Sequence, residues 1–399
     1  MLNSLKLYIE YILKSTFRPE RKFVLLDVKR FLMKKDIFSK EHAFSTEKKR
    51  AALDKAIAWL ITAQDANTDG GMGSYHLFNK WSSSYPETTG YIIPTLIHYG
   101  QQENQPKPID SAIRASDFLL AIQKVSGGWQ GGRMNENRPE IVFNTGQVIR
   151  GMISAFQLTG EQKYLDAAIK AGHWLSDIVH PEGFWQTNAL MERARVYDTF
   201  VDVPLLQLYE ITGFEQFRTT AVRNLEWVIN DKMKKSGWFE DCDNTVKRNE
   251  KPILHTIAYT LDGLIDSGII LKEDKWIEAA VPGAVKLRDL FLSNGFLNGR
   301  YDRNWSGTEY MLCTGSAQMA IIWLKLFKKY GDDNYLLAAR RMIKLLIFIQ
   351  SRNFSEKPCT LGAIPGSFPI WGRYEPFAFP NWATKFFCDA LMLEEEAGQ

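Results

Sequence analysis

The sequence predicts an all-α fold in which six helical hairpins close into a ring, an (α/α)6 toroid. One observation is a repeat in which a glycine is followed by acidic residues and an aromatic residue, at Gly160, Gly213 and Gly331. Gly160 and Gly331 are 171 residues apart, or three repeats of about 57 residues. A second observation is helical spacing of apolar residues in twelve segments, which pair as six hairpins. An open solenoid is the alternative, but its repeats are usually shorter, about 33 to 47 residues.

The twelve predicted helices fall into two alternating sets. The more charged set is expected on the outside of the ring, at 47–64, 108–124, 161–178, 214–231, 273–293 and 333–350. A helix with little charge around it is buried on most sides, so the second set is expected on the inside. These inner helices are predicted at 87–101, 144–158, 198–212, 255–268, 314–330 and 381–396. The repeated glycines are expected to end helices in the left-handed conformation.

The connections alternate in length, and this predicts where a site lies. Links from an inner helix to the next outer helix are short, as at Thr212-Gly213, whereas links from outer to inner helices run to about 20 residues. In a closed ring, all long loops emerge at the N-terminal ends of the inner helices. Several carry a glycine beside an aromatic residue, such as Gly128-Trp129 and Gly237-Trp238. We therefore expect a ligand cleft at this face.

Five residues at inner-helix starts are candidate catalytic groups. His255 begins the fourth inner helix and is the best acid–base candidate among six histidines. Tyr197 and Asp198 begin the third, and Glu87 opens the first. Asp198 alternatively caps its helix, whereas Asp202, one turn later, is an acid in a buried helix and needs a partner or a function. Glu87 and Asp198 are a candidate carboxylate pair across the ring.

A second group of residues is expected to contact substrate. Aromatic rings together with bidentate arginine donors suit an acidic oligosaccharide. For each aromatic residue, the alternative is that its ring fills the core of its own hairpin. The predicted substrate-binding residues are Asn144, Trp129, Arg133, Arg195, Trp238, Arg303, Trp305, Tyr310, Arg373 and Trp382.

Composition excludes several other classes of protein. Four cysteines lie far apart without a CxxC pair, so neither a disulfide framework nor a thiolate zinc site is predicted. Metal-binding and nucleotide-binding fingerprints are missing, and we predict no metal and no cofactor. No nucleic-acid motif is present, so no nucleic-acid partner is expected.

The N-terminal region differs in charge from the rest of the chain. Residues 1–50 hold 13 Lys and Arg against 6 Asp and Glu, while the whole chain has a net charge of +3. We predict a basic helical extension at 1–46 and the toroid at 47–399. Apolar residues at helical spacing favour docking of the extension on the toroid, with peripheral membrane contact as the alternative. No signal peptide or membrane span is recognised, which predicts a cytoplasmic location.

Several motifs resemble the six-hairpin toroid superfamily of carbohydrate-active proteins, closest to a polysaccharide-biosynthesis-associated group. The similar segments begin at Ser84, Phe143, His255, Cys313 and Gly366. The superfamily includes sugar 2-epimerases, uronyl hydrolases, polysaccharide lyases and uronate 5-epimerases, so the resemblance implies the fold more than the reaction. The 2-epimerases use a histidine late in the chain, whereas the last histidine here is His255. The segment from Tyr197 to Pro204 is similar to unsaturated uronyl hydrolases.

The leading hypothesis is an enzyme that acts on an acidic, uronate-containing poly- or oligosaccharide. Proton abstraction at C5, by a lyase or a 5-epimerase, needs a base, for which Tyr197 and His255 are candidates. It also needs groups that neutralise the sugar carboxylate, here Asn144, Arg195 and Arg303. One alternative is a hydrolase of the unsaturated-uronyl type that uses carboxylates as acid and base. Another is a non-catalytic glycan-binding toroid in surface-polysaccharide assembly.

Overall fold

Twelve α-helices dominate the part of the chain that the computed structural model describes, residues 45–245, 248–308, 310–351 and 357–397. The helices that alternate with the inner set are α1 Thr46–Asp65, α3 Pro106–Ala121, α5 Gln162–Asp177, α7 Glu215–Trp227, α9 Asp274–Asn294 and α11 Asp333–Ser351. The inner set is α2 Pro86–Gln102, α4 Val142–Thr159, α6 Thr199–Thr212, α8 Leu254–Leu271, α10 Cys313–Tyr330 and α12 Asn381–Ala397. The predicted all-α class is confirmed.

The inner helices form a closed ring. Each packs against the next in the order α2, α4, α6, α8, α10 and α12, and α12 packs back against α2. Glycines let neighbouring inner helices approach closely, as between α2 and α4, where a Cβ atom on Gly90 would lie 2.6 Å from the Cα of Val148. Any larger residue at Gly90 would push these helices apart. The ring confirms the predicted toroid.

The repeated glycines end inner helices as expected. Gly160, Gly213 and Gly331 follow α4, α6 and α10 with φ angles of 71°, 72° and 69°. Each donates its backbone N–H to a carbonyl four residues earlier, which satisfies part of the helix end. The short links between hairpins therefore follow from the repeat motif.

Short strands join the long loops on one face of the ring. They are β1 Tyr75–His76, β2 Lys80–Trp81, β3 Met311–Leu312, β4 Ser367–Phe368 and β5 Ala378–Phe379. β1 pairs antiparallel with β2 and β5, and β3 pairs antiparallel with β4. The last long loop is thus bonded both to the first loop and to the segment before α10.

Charged residues lie further along the inner helices. Lys325 on α10 lies 2.6 Å from both Asp262 and Asp266 on α8. Lys385 lies 2.6 Å from Asp389 within α12. All five of these residues line a pocket of about 320 Å³.

The predicted extension at 1–46 lies outside the described residues except for its last two positions. Its docking and its membrane contact stay predictions. Among the described helices, none combines the length and the apolar character needed to cross a bilayer.

Candidate active site

A cavity of about 410 Å³ opens where the inner helices begin. Residues from the starts of α2, α4, α8 and α12 and from the long loops line it. Seven of the lining residues are aromatic, namely Tyr85, Tyr91, Phe143, Tyr197, Tyr259, Tyr374 and Trp382. Flat apolar faces with a few polar groups are typical of a small-ligand site.

Glu87 is the predicted catalytic carboxyl group that reaches this cavity. It lies in the first turn of α2, and its carboxylate accepts a 2.6 Å hydrogen bond from the Tyr85 hydroxyl. Burial raises the pKa of Glu87 to about 7, and the Tyr85 hydrogen bond opposes part of that rise. The carboxyl group is therefore largely protonated up to near-neutral pH, as a general acid must be.

His255 lines the cavity from the first turn of α8. Its Nδ1 lies 2.7 Å from Oε1 of Gln318 on α10, which accepts the bond when Nδ1 carries the proton. Burial lowers the pKa of His255 to about 4, although the Gln318 bond opposes this. The imidazole is neutral above that pH and has an acceptor nitrogen available at Nε2.

Glu375 is a second carboxyl group in the cavity, and sequence reasoning missed it. Burial raises its pKa, while the charge of Arg133 opposes the rise. Glu375 precedes Pro376 and has a φ of 44°, a left-handed conformation that is costly for a residue with a side chain. The signal in the sequence is only a Glu-Pro pair in an aromatic loop, which is also typical of an ordinary turn.

Three other predicted residues line the same cavity. They are Asn144 in the first turn of α4, Tyr197 just before α6 and Trp382 at the start of α12. Burial and the charge of Asp198 raise the pKa of Tyr197 well above its ordinary value, so the phenol stays protonated. The Trp382 indole donates to the Tyr374 hydroxyl at 2.9 Å, which fixes both rings in the wall.

Asp198, Asp202 and Arg195 are buried but do not line the cavity. Burial raises the pKa of Asp198 to about 8, against the charge of Arg195, and raises that of Asp202 well above its usual range. Neither oxygen of Asp202 has a hydrogen-bond partner among the described residues. The predicted pair of Glu87 and Asp198 across one cavity is therefore not formed here, and Glu87 shares the cavity with Glu375 instead.

The predicted aromatic contacts in the loops fill the core. Trp129 is fully buried, and its indole donates to the Leu119 carbonyl at 2.8 Å. Trp238 donates to the Tyr301 carbonyl at 3.1 Å and Trp305 to the Ser236 carbonyl at 3.2 Å. Tyr310 packs in a small cluster with Ile253 and Leu312. None of these four predicted residues lines the cavity.

The predicted arginines lie around the cavity rather than in its wall. Arg133 is near Glu375, Arg373 lines an adjoining pocket, and Arg303 is exposed on its loop. Arg138, which the sequence analysis did not single out, lines the cavity itself. Within the described stretches, no three His, Cys, Asp or Glu side chains are grouped so that they could hold a metal ion. The absence of a cofactor stays a prediction.

A toroid with an aromatic bowl that holds two carboxyl groups and a neutral histidine is the architecture of a carbohydrate-active enzyme. Residues 41–280 match the family model described as "Beta-L-arabinofuranosidase, GH127 catalytic domain". Because the match covers more than half of the chain, the protein belongs to this glycoside hydrolase family. Glu87, Asn144, Tyr197 and His255 lie within the matched range, whereas Glu375 lies beyond it.

Solved structures support the same fold at low sequence identity. An unsaturated glucuronyl hydrolase from Streptococcus agalactiae is 15% identical, with 90% of this chain and 94% of that chain covered and a TM-score of 0.64. A sugar epimerase from a ruminal bacterium is 13% identical, with 88% and 98% covered and a TM-score of 0.71. The cellobiose 2-epimerase of Bacillus thermoamylovorans B4167 is 12% identical, with 88% and 98% covered and a TM-score of 0.68. At these identities, the likeness shows the fold alone.

Proposed function

We propose that the protein hydrolyses a glycosidic bond with Glu87 as the general acid. The observation that carries this proposal is a half-buried carboxyl group, Glu87, with a pKa of about 7, which shares an aromatic cavity with a second carboxyl group, Glu375. Such a pair is what glycoside hydrolysis needs. The family to which the chain belongs supports the same reaction class.

In this mechanism, protonated Glu87 donates its proton to the leaving oxygen while the bond from that oxygen to the anomeric carbon breaks. Glu375 stabilises the positive charge that develops on the sugar ring. A water molecule adds to the anomeric carbon, and its proton passes to a carboxylate of the pair. The aromatic walls contact the sugar faces and keep bulk water away from the reacting atoms.

The cavity of about 410 Å³ is small, so it suits the terminal sugar of a glycoside better than the middle of a polymer. The family description names β-L-arabinofuranosidase, and structural neighbours include glucuronyl hydrolases, so a terminal pentofuranose and a terminal uronate are the first candidates. A place in surface-polysaccharide biosynthesis and a cytoplasmic location stay predictions from the sequence resemblance.

The test is a panel of aryl and disaccharide glycosides that includes β-L-arabinofuranosides and uronides, with new reducing ends as the readout. We expect Glu87→Gln and Glu375→Gln each to lower kcat/KM by about 10²–10⁴-fold. Glu182→Gln is the matched control, since Glu182 is exposed on a long loop of the same face. Full activity in Glu87→Gln, with the fold intact, would rule out the proposed acid.

Proton abstraction at C5 is the second candidate, and the position of His255 favours it. The neutral imidazole of His255, with a free acceptor nitrogen, can act as the base. In the same cavity, the protonated phenol of Tyr197 can act as the acid and the amide of Asn144 can bind the sugar carboxylate. Arg195 and Arg303, proposed from the sequence to neutralise the carboxylate, do not line this cavity. A lyase would form an unsaturated product that absorbs ultraviolet light, and an epimerase would incorporate solvent deuterium at C5. Either signal, if it is lost in His255→Ala but retained in Glu87→Gln, would favour proton abstraction over hydrolysis.

A further inference from the structure

A second, open pocket of about 490 Å³ adjoins the cavity. Asn244, Tyr374 and Glu375 line both spaces, so the two lie side by side. The side chains that distinguish the second pocket are three arginines, which come from different loops: Arg248, Arg300 and Arg373. Glu375 is the one acidic residue among its described lining residues.

Arg300 is held rigidly in this pocket. Its Nη1 donates to Asp243 Oδ1 at 2.9 Å and to the Lys251 carbonyl at 2.7 Å. Asp243 is fully buried and also accepts bonds from Thr245 and from the Ile253 backbone N–H, so it is fixed itself. Arg300 is only 8% exposed, and its Nε has no hydrogen-bond partner among the described residues. Arg300 is therefore a fixed part of the pocket wall.

The three arginines all line this one pocket, beside Tyr374. Burial raises the pKa of Tyr310, while the charges of Arg300, Arg248 and Arg373 each oppose that rise. Three cations in the wall of one pocket make it attractive to an anion. Arginine is also the side chain best matched to planar or tetrahedral oxyanions.

We propose that this arginine pocket, defined by Arg248, Arg300 and Arg373, binds an anionic group on the sugar next to the one in the cavity. The group is a carboxylate, as in a uronic acid, or a sulfate ester. This inference rests on the proposed function for the assignment of the cavity as a sugar site. It makes the substrate a glycoside whose second sugar is charged, with the arginines as specificity determinants.

The first experiment measures anion binding directly by equilibrium dialysis with labelled sulfate and, separately, with labelled glucuronate. Wild-type protein is compared with the double variant Arg248→Gln/Arg373→Gln and with Lys235→Gln. Lys235 is exposed on the same long loop as Arg248 and lines neither pocket, so its variant controls for loss of positive charge. Arg300 is left unchanged because its ion pair with Asp243 supports the loop.

We expect saturable binding of at least one anion, weakened about tenfold or more in the double variant and unchanged in Lys235→Gln. Preference for glucuronate over sulfate assigns a uronate, and the reverse assigns a sulfate ester. Absence of saturable binding, or equal binding in wild type and double variant with the fold intact, would overturn the proposal.

A second experiment separates this inference from the proposed hydrolysis. The second experiment uses two active substrates that differ only in the charge of the second sugar. The double variant should raise KM for the charged substrate by a larger factor than KM for the neutral one. Anion binding without any turnover would leave the arginine pocket standing and defeat the hydrolase. Turnover that depends on Glu87 but is unchanged by substitution of both arginines would support the hydrolase and overturn the arginine pocket.

Discussion

The pKa of Glu87 is the balance of two opposing effects on one side chain. Burial disfavours the charged carboxylate and raises the pKa, whereas the hydrogen bond from Tyr85 stabilises the carboxylate and lowers it. The resulting value of about 7 lies within the range in which a proton can be both held and given at neutral pH. Tyr85 therefore sets the pH range of the proposed acid without itself transferring a proton.

Tyr85→Phe tests this balance. Glu87 works as an acid only while protonated, so hydrolysis should fall as the pH rises through about 7 in the wild type. Removing the Tyr85 hydroxyl removes the effect that lowers the pKa, so the basic limb of the kcat/KM profile should move to higher pH. The measurement is the full pH profile on one substrate.

Tyr99→Phe is the control for that profile. Tyr99 lies at the other end of the same helix and donates its hydroxyl to Asp54 at 2.8 Å, so the substitution deletes a similar bond far from the cavity. Its profile should match the wild type. A basic limb that stays in place in Tyr85→Phe, or moves to lower pH, would contradict the assignment of Glu87.

Residue type and helix position could predict part of the site, but not the part that depends on a loop. Glu87, Asn144, Tyr197 and His255 were predicted because each is a polar residue at the start of an inner helix, and all four line the cavity. Glu375 belongs to a long loop whose path is fixed by pairing of β4 with β3 and β5 with β1. Those contacts join segments distant in sequence, so no local pattern reveals them.

At the scale of the helical hairpin, the aromatic residues that lie beside a glycine in the long loops contribute to the hydrophobic core. Trp129 and Trp185 are fully buried, and each donates its indole N–H at 2.8 Å to a carbonyl near the end of the outer helix of its own hairpin, at Leu119 and Leu175. The bond satisfies a carbonyl that the helix end leaves free. The same motif at both hairpins therefore has a structural cause, and the sequence could not distinguish it from ligand contact.

Trp129→Phe should therefore change stability and leave substrate affinity alone. It removes the hydrogen bond to Leu119 and part of a fully buried ring, so the free energy of unfolding should fall by about 1–3 kcal/mol. The measurement pairs urea denaturation with KM for an active substrate. Trp382→Phe, at a ring that does line the cavity, is the contrasting variant and should raise KM. A raised KM in Trp129→Phe with unchanged stability would restore the original prediction of a substrate contact.

Helix bounds were predictable because buried and exposed residues alternate at helical spacing. The segment predicted at 87–101 is α2 at Pro86–Gln102, and that predicted at 255–268 is α8 at Leu254–Leu271. The third helix starts at Pro106 rather than 108, because proline is well suited to the first turn of a helix. The other ends differ by at most three residues, except that α7 ends at Trp227 rather than 231, where a π-helical turn at Val228–Lys232 follows it.

Closure of the ring is a property of the whole molecule, and it was inferred from the number of hairpins. The contacts that carry it join residues about 300 positions apart. Asn381, fully buried at the start of α12, donates from Nδ2 to the carbonyls of Met72 and Gly73 at 3.2 and 3.0 Å. Its backbone N–H donates to the Ser74 hydroxyl at 3.1 Å. These bonds connect the last inner helix to the first long loop.

Asn381→Ala tests whether this seam stabilises the whole ring. It leaves the buried Gly73 carbonyl without a donor, while the Met72 carbonyl keeps its bond from the Tyr85 backbone N–H, so we expect the free energy of unfolding to fall by about 1–3 kcal/mol. Because each hairpin is packed between two neighbours, the loss should lower the midpoint of one cooperative transition. Urea denaturation followed by far-ultraviolet circular dichroism and by tryptophan fluorescence should give coincident curves.

Asn188→Ala is the control at an internal seam. It removes a 2.9 Å bond to the Glu140 carbonyl between adjacent loops and should also unfold in one transition. Curves that separate only in Asn381→Ala would show that the first and last hairpins fray independently, as in an open solenoid, and would contradict a cooperatively closed ring.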